Sequence, residues 1–220
     1  MSQSKEHGAG GQLIKVCGLS REEDAAMLSR HGINFGGVVL FFPKSKRNQE
    51  ITKGEKIAKA LNQEGIKSVA VTVSPNKEQV EAIEAAGFQY LQVHGELAQD
   101  VYETTSLPVI RAFNQDATEA ALDELLNETK VAGILLDAKE PGSGVAFSWK
   151  EAEEIVKKIK AAGKLFFLAG GIGAGNVKEA IKALSPDVID VSSSVEIEGR
   201  VEKSEAKIEA LTLRLKTEMH

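Results

Sequence analysis

One thiol, one carboxylate and two runs of small residues stand at the ends of apolar segments. Cys17, the sole cysteine among 220 residues, closes Leu13-Ile14-Lys15-Val16-Cys17 and precedes Gly18. A thiolate in that position can serve as base or nucleophile. Asp137 closes Ile134-Leu135-Leu136-Asp137. A carboxyl shielded by a loop can keep its proton toward neutral pH and act as a general acid. Two later runs end in Ala169-Gly170-Gly171 and in Asp190-Val191-Ser192-Ser193-Ser194. Glycines let backbone approach an anion, and helix N-termini supply free N–H donors. A thiol, a carboxylate and two phosphate-type loops, all at strand ends, describe an active site. Each also has a plainer reading: a space-filling thiol, a helix-capping carboxylate, two tight turns. Their common place at strand ends favours chemistry.

The elements that must position them alternate. Short apolar runs at 13–17, 36–41, 67–73, 89–93, 107–112, 131–136, 164–169 and 187–191 are rich in Val, Ile, Leu and Phe. Several are apolar on both faces, as buried parallel strands are. Helix-like stretches lie near 21–31, 50–64, 76–86, 97–105, 116–129, 149–162, 175–184 and 203–217. Ser20 before Arg21-Glu22-Glu23 has capping-box spacing. Ser74-Pro75-Asn76 leads into another helix start. Gly32, Gly65, Gly87 and Gly163 fall where a left-handed helix cap is wanted. A strand-helix unit about every 25 residues, repeated eight times, predicts an α/β fold of the (β/α)8 TIM-barrel type in a single domain. A doubly wound open sheet is the alternative. Met1 to Gly11 is polar and is expected to be a disordered tail, leaving 12–220 as the barrel domain.

In such a barrel the active site lies at the carboxyl ends of the strands, and a phosphate sits in the last two loops. That places Cys17, Asp137, Gly170, Gly171, Ser192 and Ser193 at one mouth. Arg47, in Pro43-Lys44-Ser45-Lys46-Arg47, can reach it to clamp a carboxylate. His94 is either a ligand contact or a structural imidazole. Arg111 ends the fifth strand and reads better as structural. Lys15 points into the barrel and needs a carboxylate partner, for which Asp190 is a candidate.

Composition excludes several classes. A net charge of −5 and a pI near 5.5 argue against a nucleic-acid surface. No apolar run approaches a membrane span, and the first eleven residues do not read as a signal peptide. The cytoplasm is the expected compartment. One cysteine forms no internal disulfide. His7, His31, His94 and His220 lack metal-ligand spacing, so no metal is expected. Monomer and homodimer both stay open.

The chain resembles the phosphoribosylanthranilate isomerases. The resemblance rests on Lys15-Val16-Cys17-Gly18-Leu19, Phe42-Pro43-Lys44-Ser45-Lys46-Arg47, Gln92-Val93-His94-Gly95 and Leu135-Leu136-Asp137-Ala138. It continues through Gly142-Ser143-Gly144 with Phe147 and Trp149, then Leu168-Ala169-Gly170-Gly171 with Asn176-Val177, and Asp190-Val191-Ser192-Ser193 with Val195-Glu196. These segments recur in family order from residue 13 to about 215. The family usually has Pro at Lys46, an aromatic at Asn48, Asp at Ser148 and Gly at Ser194.

The resemblance implies a cofactor-free Amadori rearrangement in tryptophan biosynthesis. Its small-molecule substrate, N-(5-phosphoribosyl)anthranilate, becomes 1-(2-carboxyphenylamino)-1-deoxyribulose 5-phosphate. It implies Asp137 as general acid, Cys17 as general base and Arg47 as partner of the anthranilate carboxylate. Gly170, Gly171, Ser192 and Ser193 would hold the phosphate, with His94 a secondary contact. Lys139 would orient Asp137 or lie in solvent. The rivals are another sugar-phosphate isomerase or aldolase on the same barrel, and a non-catalytic phosphate-binding barrel. The latter has no reason to keep Cys17 and Asp137 together.

Overall fold

The computed structural model describes residues 11–113, 118–137 and 149–216. The tail expected at 1–11 therefore lies outside the described residues up to Gly10, as do Ala138, Lys139 and the loop around Gly142.

Among the described residues, eight barrel strands alternate with eight helices, and a short ninth strand, Asn48–Gln49, pairs beside the second. They are β1 (Leu13–Cys17), α1 (Asp24–Arg30), β2 (Phe35–Leu40), α2 (Ile51–Gln63), β3 (Lys67–Val73), α3 (Lys77–Ala85), β4 (Tyr90–His94), α4 (Gln99–Thr104), β5 (Val109–Phe113), α5 (Glu119–Asn127), β6 (Val131–Asp137), α6 (Trp149–Ala161), β7 (Leu165–Ala169), α7 (Val177–Leu184), β8 (Val188–Val191) and α8 (Glu205–Lys216). Every strand pairs in parallel with its sequence neighbours, and β1 pairs with both β2 and β8. The sheet is therefore a closed barrel, not the open doubly wound alternative.

Alternation along each strand separates two cores. Phe35, Val69, Val71, Ile110, Leu135, Phe167 and Val188 fill the barrel interior. Ile14, Val16, Val38 and Ala70 point outward and pack with Leu28, Ile57, Leu61, Val80 and Ile83 of the helices. This explains the two-sided apolarity of the strands: one face meets the barrel axis, the other a helix. Each fully buried Leu or Phe contributes about 1.5–3 kcal/mol. At Gly36 a Cβ would meet the Leu61 methyls at 2.7 Å. Only glycine lets α2 pack that closely against β2.

Most local signals hold. Asn76 and Gln79 form a reciprocal capping box at the start of α3. Gly32, Gly65, Gly87 and Gly163 all have positive φ. The Ser20 box does not form. The helix begins only at Asp24, which has no side-chain N-cap and pairs instead with Arg21 at 2.6 Å. The reason lies upstream: Gly18 and Leu19 both donate to the carbonyl of Gly37. That turn carries Leu19 and Ser20 into the interior and delays the helix.

Candidate active site

The expected site residues converge. A cavity of about 400 Å³ at the carboxyl ends of the strands is lined by Cys17, Arg47, His94, Asp137, Gly170, Gly171, Ser192 and Ser193. Gln92, Asp190 and Ser45 also line it.

Cys17 reaches the mouth because β1 alternates Leu13, Lys15 and Cys17 inward. Its carbonyl accepts the Ser192 hydroxyl at 3.1 Å, tying β1 to the end of β8. Gly37 is its register partner on β2. Burial pushes the thiol above its ordinary range. Lys15 and Lys203 pull it down and Asp190 pushes it up, and the net direction is upward. Lys15 is fully buried and donates to Asp190 Oδ2 at 2.8 Å, its direct partner across the β1–β8 ladder. The expected interior pair is thus present. Burial works against the ammonium, but the Asp190 and Cys17 charges outweigh it and hold Lys15 above its ordinary range.

Asp137 ends β6 and is exposed among the described residues. His94 is the last residue of β4, one position later than expected. Burial lowers its pKa; Lys15 and Arg111 lower it further, against the pull of Asp137. A neutral imidazole results. Gln92 Nε2 lies 2.9 Å from His94 Nε2, so Nε2 accepts and Nδ1 carries the proton. Gln92 Oε1 is buried with no partner among the described residues. Arg111 donates to the Gly95 carbonyl at 2.9 Å and does not line the cavity, in keeping with a structural role.

The two late loops are built as one unit. Gly170 and Gly171 both have positive φ. Asn176 pins the first loop, accepting from Gly173 N–H at 2.9 Å and donating to the Gly171 carbonyl at 3.1 Å. Ser192 leads into a single 3-10 turn, Ser193–Val195. The first N–H groups of such a turn have no partner inside it. Ser194 donates to the Ile172 carbonyl at 2.5 Å, and its Cβ lies 3.0 Å from where a Gly173 Cβ would stand. Where the resemblance leads one to expect glycine, serine here bolts the two loops together.

Arg47 is held by neighbours that sequence reading left unassigned. The two-residue strand, Asn48–Gln49, pairs in parallel with the end of β2, Val39 opposite Asn48 and Leu40 opposite Gln49, and fixes the loop before it. Asn48 Oδ1 accepts from Phe42 N–H at 2.7 Å, which gives the residue at the usual aromatic position a backbone task. Arg47 makes a two-pronged pair with Glu196, at 2.5 and 3.0 Å. Lys203, also buried, reaches the same carboxylate at 3.2 Å, and Lys46 approaches at 3.7 Å. Lys203 had no signal in the sequence, being one cation among 27. Burial pushes the Glu196 carboxyl up, but Arg47 and Lys203 outweigh it and hold it below the usual range. Stability from this group is therefore present above the unfolded glutamate value and is lost as pH falls through the lower folded one. Glu196→Gln should cost about 3 kcal/mol at neutral pH, since it strands the buried Lys203 ammonium. The cost should begin to shrink as pH falls below the unfolded glutamate value of about 4.3 and should vanish only below the lower folded value, where folded wild type also loses the charge. Thermal melts of both proteins from pH 7 to pH 3 check this; parallel melting curves throughout would count against it.

Among the described residues no group of three or more His, Cys, Asp or Glu side chains is placed to hold a metal ion. No described helix is long and apolar enough to cross a membrane.

Comparison with known proteins agrees with the geometry. Residues 14–212 match the family model for N-(5'phosphoribosyl)anthranilate (PRA) isomerase. A protein of that name from Streptococcus mutans is 36% identical over 201 residues, covering 90% of this chain and 97% of that one. The crystal structure of phosphoribosyl anthranilate isomerase from Thermus thermophilus aligns with a TM-score of 0.75 at 33% identity, covering 94% of this chain and 99% of that one. A third relative has 26% identity, a TM-score of 0.75 and the same coverage. It was solved in complex with reduced 1-(o-carboxyphenylamino)-1-deoxyribulose 5-phosphate. With the barrel, the mouth and the matched span in agreement, the chain belongs to the N-(5'-phosphoribosyl)anthranilate isomerase family.

Proposed function

We propose that this chain isomerises N-(5'-phosphoribosyl)anthranilate to 1-(o-carboxyphenylamino)-1-deoxyribulose 5-phosphate in tryptophan biosynthesis, with Asp137 as acid and Cys17 as base. The observation that carries the reading is one cavity shared by a carboxyl, a thiol and two loops suited to phosphate. Protonated Asp137 gives its proton to the furanose ring oxygen, the C1–O bond breaks, and a Schiff base forms. The Cys17 thiolate takes the proton from C2, leaving an enolamine. A proton is delivered to C1 and the C2 hydroxyl gives up its own, so the enolamine becomes the aminoketose. Hydrogen moves only within the substrate and its acid and base, so the redox change balances internally.

Gly170, Gly171, Ser192 and Ser193 hold the phosphate through backbone N–H groups and hydroxyls. The Ser192 hydroxyl is engaged with Cys17, so its contribution is the backbone of its loop. His94, neutral and proton-bearing at Nδ1, donates to the substrate. Arg47 takes the anthranilate carboxylate, its guanidinium pre-oriented by Glu196. Arg47→Ala should raise KM about 10- to 100-fold, the worth of a charge-assisted pair, with a smaller change in kcat. Steady-state kinetics check this, and an unchanged KM removes Arg47 from the role. Residues 12–220 act as one catalytic domain, working in the cytoplasm as monomer or homodimer.

The test is loss of substrate fluorescence, with phosphoribosylanthranilate generated in situ. Rapid decay with the folded protein supports the reading. No decay returns it to a phosphate-binding barrel and moves the search to other sugar phosphates.

A further inference from the structure

We propose that Lys15, fixed by Asp190, is a positioning residue that offsets the cost of burying the Cys17 thiolate and so eases its ionisation. The inference rests on Cys17 being the base and extends that assignment to the barrel floor.

The geometry is specific. Lys15 and Cys17 are two residues apart on one strand and share its inward face. The position a Cβ would take on Gly37 lies 3.1 Å from Cys17 Sγ and 3.2 Å from Lys15 Nζ. Both groups thus lie against one point, and a side chain at position 37 would press on both. Lys15 has no exposure, and beneath it lies the apolar plug built on Phe35, Val69 and Phe167. Its one carboxylate partner among the described residues is Asp190, at 2.8 Å. The second Asp190 oxygen, Oδ1, is buried and without a partner among the described residues. A buried ammonium with one anion satisfied and a thiol on its other side has a second anion to stabilise.

The charges around the thiol come from several elements, and Arg47, in the loop after β2, packs over Gly18 beside it with Glu196 as its partner. Lys15 lies on β1, Asp190 on β8, and Lys203 in the segment before α8. Asp137 on β6 and neutral His94 on β4 face the same mouth. Two cations oppose the burial of the thiolate, and Lys15 exerts the larger pull. Asp190 keeps Lys15 charged, so Lys15 stays an electrostatic partner through the neutral range and never serves as the base itself.

Because Cys17 is the sole cysteine, the protein offers a clean readout. Thiolate absorbance near 240 nm is titrated in wild type and in Lys15→Met, with Cys17→Ala subtracted to remove tyrosine. The Lys15→Met thiol should titrate at least about one unit higher. The ascending limb of kcat/KM against pH should move with it, so that activity near neutrality falls about tenfold per unit. At the alkaline plateau much of the loss should be recovered. An unmoved thiol titration, with activity lowered equally at every pH, would mean that Lys15 is only structural and would overturn the inference. Lys15→Gln gives the same readout if the methionine variant does not fold. If Cys17→Ala keeps its activity, the base assignment fails, yet the titration still tells whether Lys15 governs the thiol.

Discussion

Cys17→Ala should fold, bind substrate and turn over at least about a thousandfold more slowly. The change removes one sulfur from a half-buried position at the mouth, where the cavity absorbs the lost volume. The tie from Ser192 to β1 runs to the Cys17 carbonyl, not the side chain, so the phosphate loop keeps its anchor. A base acts in the transition state and contributes little to ground-state binding. The loss should therefore fall on kcat and leave KM near wild type. Cys17→Ser should not rescue turnover, because a hydroxyl in that setting ionises far less readily than a thiol. Steady-state fluorescence kinetics read both variants. A wild-type kcat in Cys17→Ala would remove the thiol from the mechanism.

The parts of this site that sequence revealed are those fixed by strand ends. Period and apolarity located β1, β6, β7 and β8, and the barrel rule then placed Cys17, Asp137, Gly170 and Ser192 at one mouth. That inference works because the position of a strand-end residue follows from backbone geometry alone. The need of Lys15 for an inward anion was legible for the same reason, with Asp190 a candidate; the pairing itself is shown only by the folded chain.

What stayed hidden depends on side-chain reach. Glu196 and Lys203 lie past the last strand, with no period to place them, and a lysine among many cations announces nothing. Only the folded chain shows Lys203 buried beside Glu196, with Arg47 on the same carboxylate. The Ser20 cap failed because a nonlocal bond, from the turn at Gly18 to Gly37, overrode a local spacing signal.

Arg47 illustrates how the hidden part qualifies the legible part. Sequence offered a free arginine to clamp a carboxylate. The structure shows one already committed to Glu196, itself shared with Lys203 and Lys46. The local balance of three cations to one carboxylate leaves positive charge for a second anion. A substrate carboxylate can join this cluster without displacing Glu196, and the pre-paired guanidinium loses little freedom when it does.

Asp137→Asn should be as damaging as loss of the thiol, by about a hundred- to ten-thousandfold in kcat. The amide keeps the size of the carboxyl and can still donate a hydrogen bond, but it cannot surrender a proton to the ring oxygen. Ring opening then becomes the slow step. The double variant separates the two roles. If acid and base serve successive steps, Cys17→Ala with Asp137→Asn should be about as slow as the slower single variant, because only one step limits the rate. If both groups act in one concerted step, the two losses should multiply. Single-turnover fluorescence decay of all four proteins distinguishes these outcomes. Multiplying losses would force ring opening and C2 deprotonation into one transition state. A double variant matching the slower single would keep them apart, as expected for an exposed acid at the end of β6 and a half-buried thiol at the end of β1.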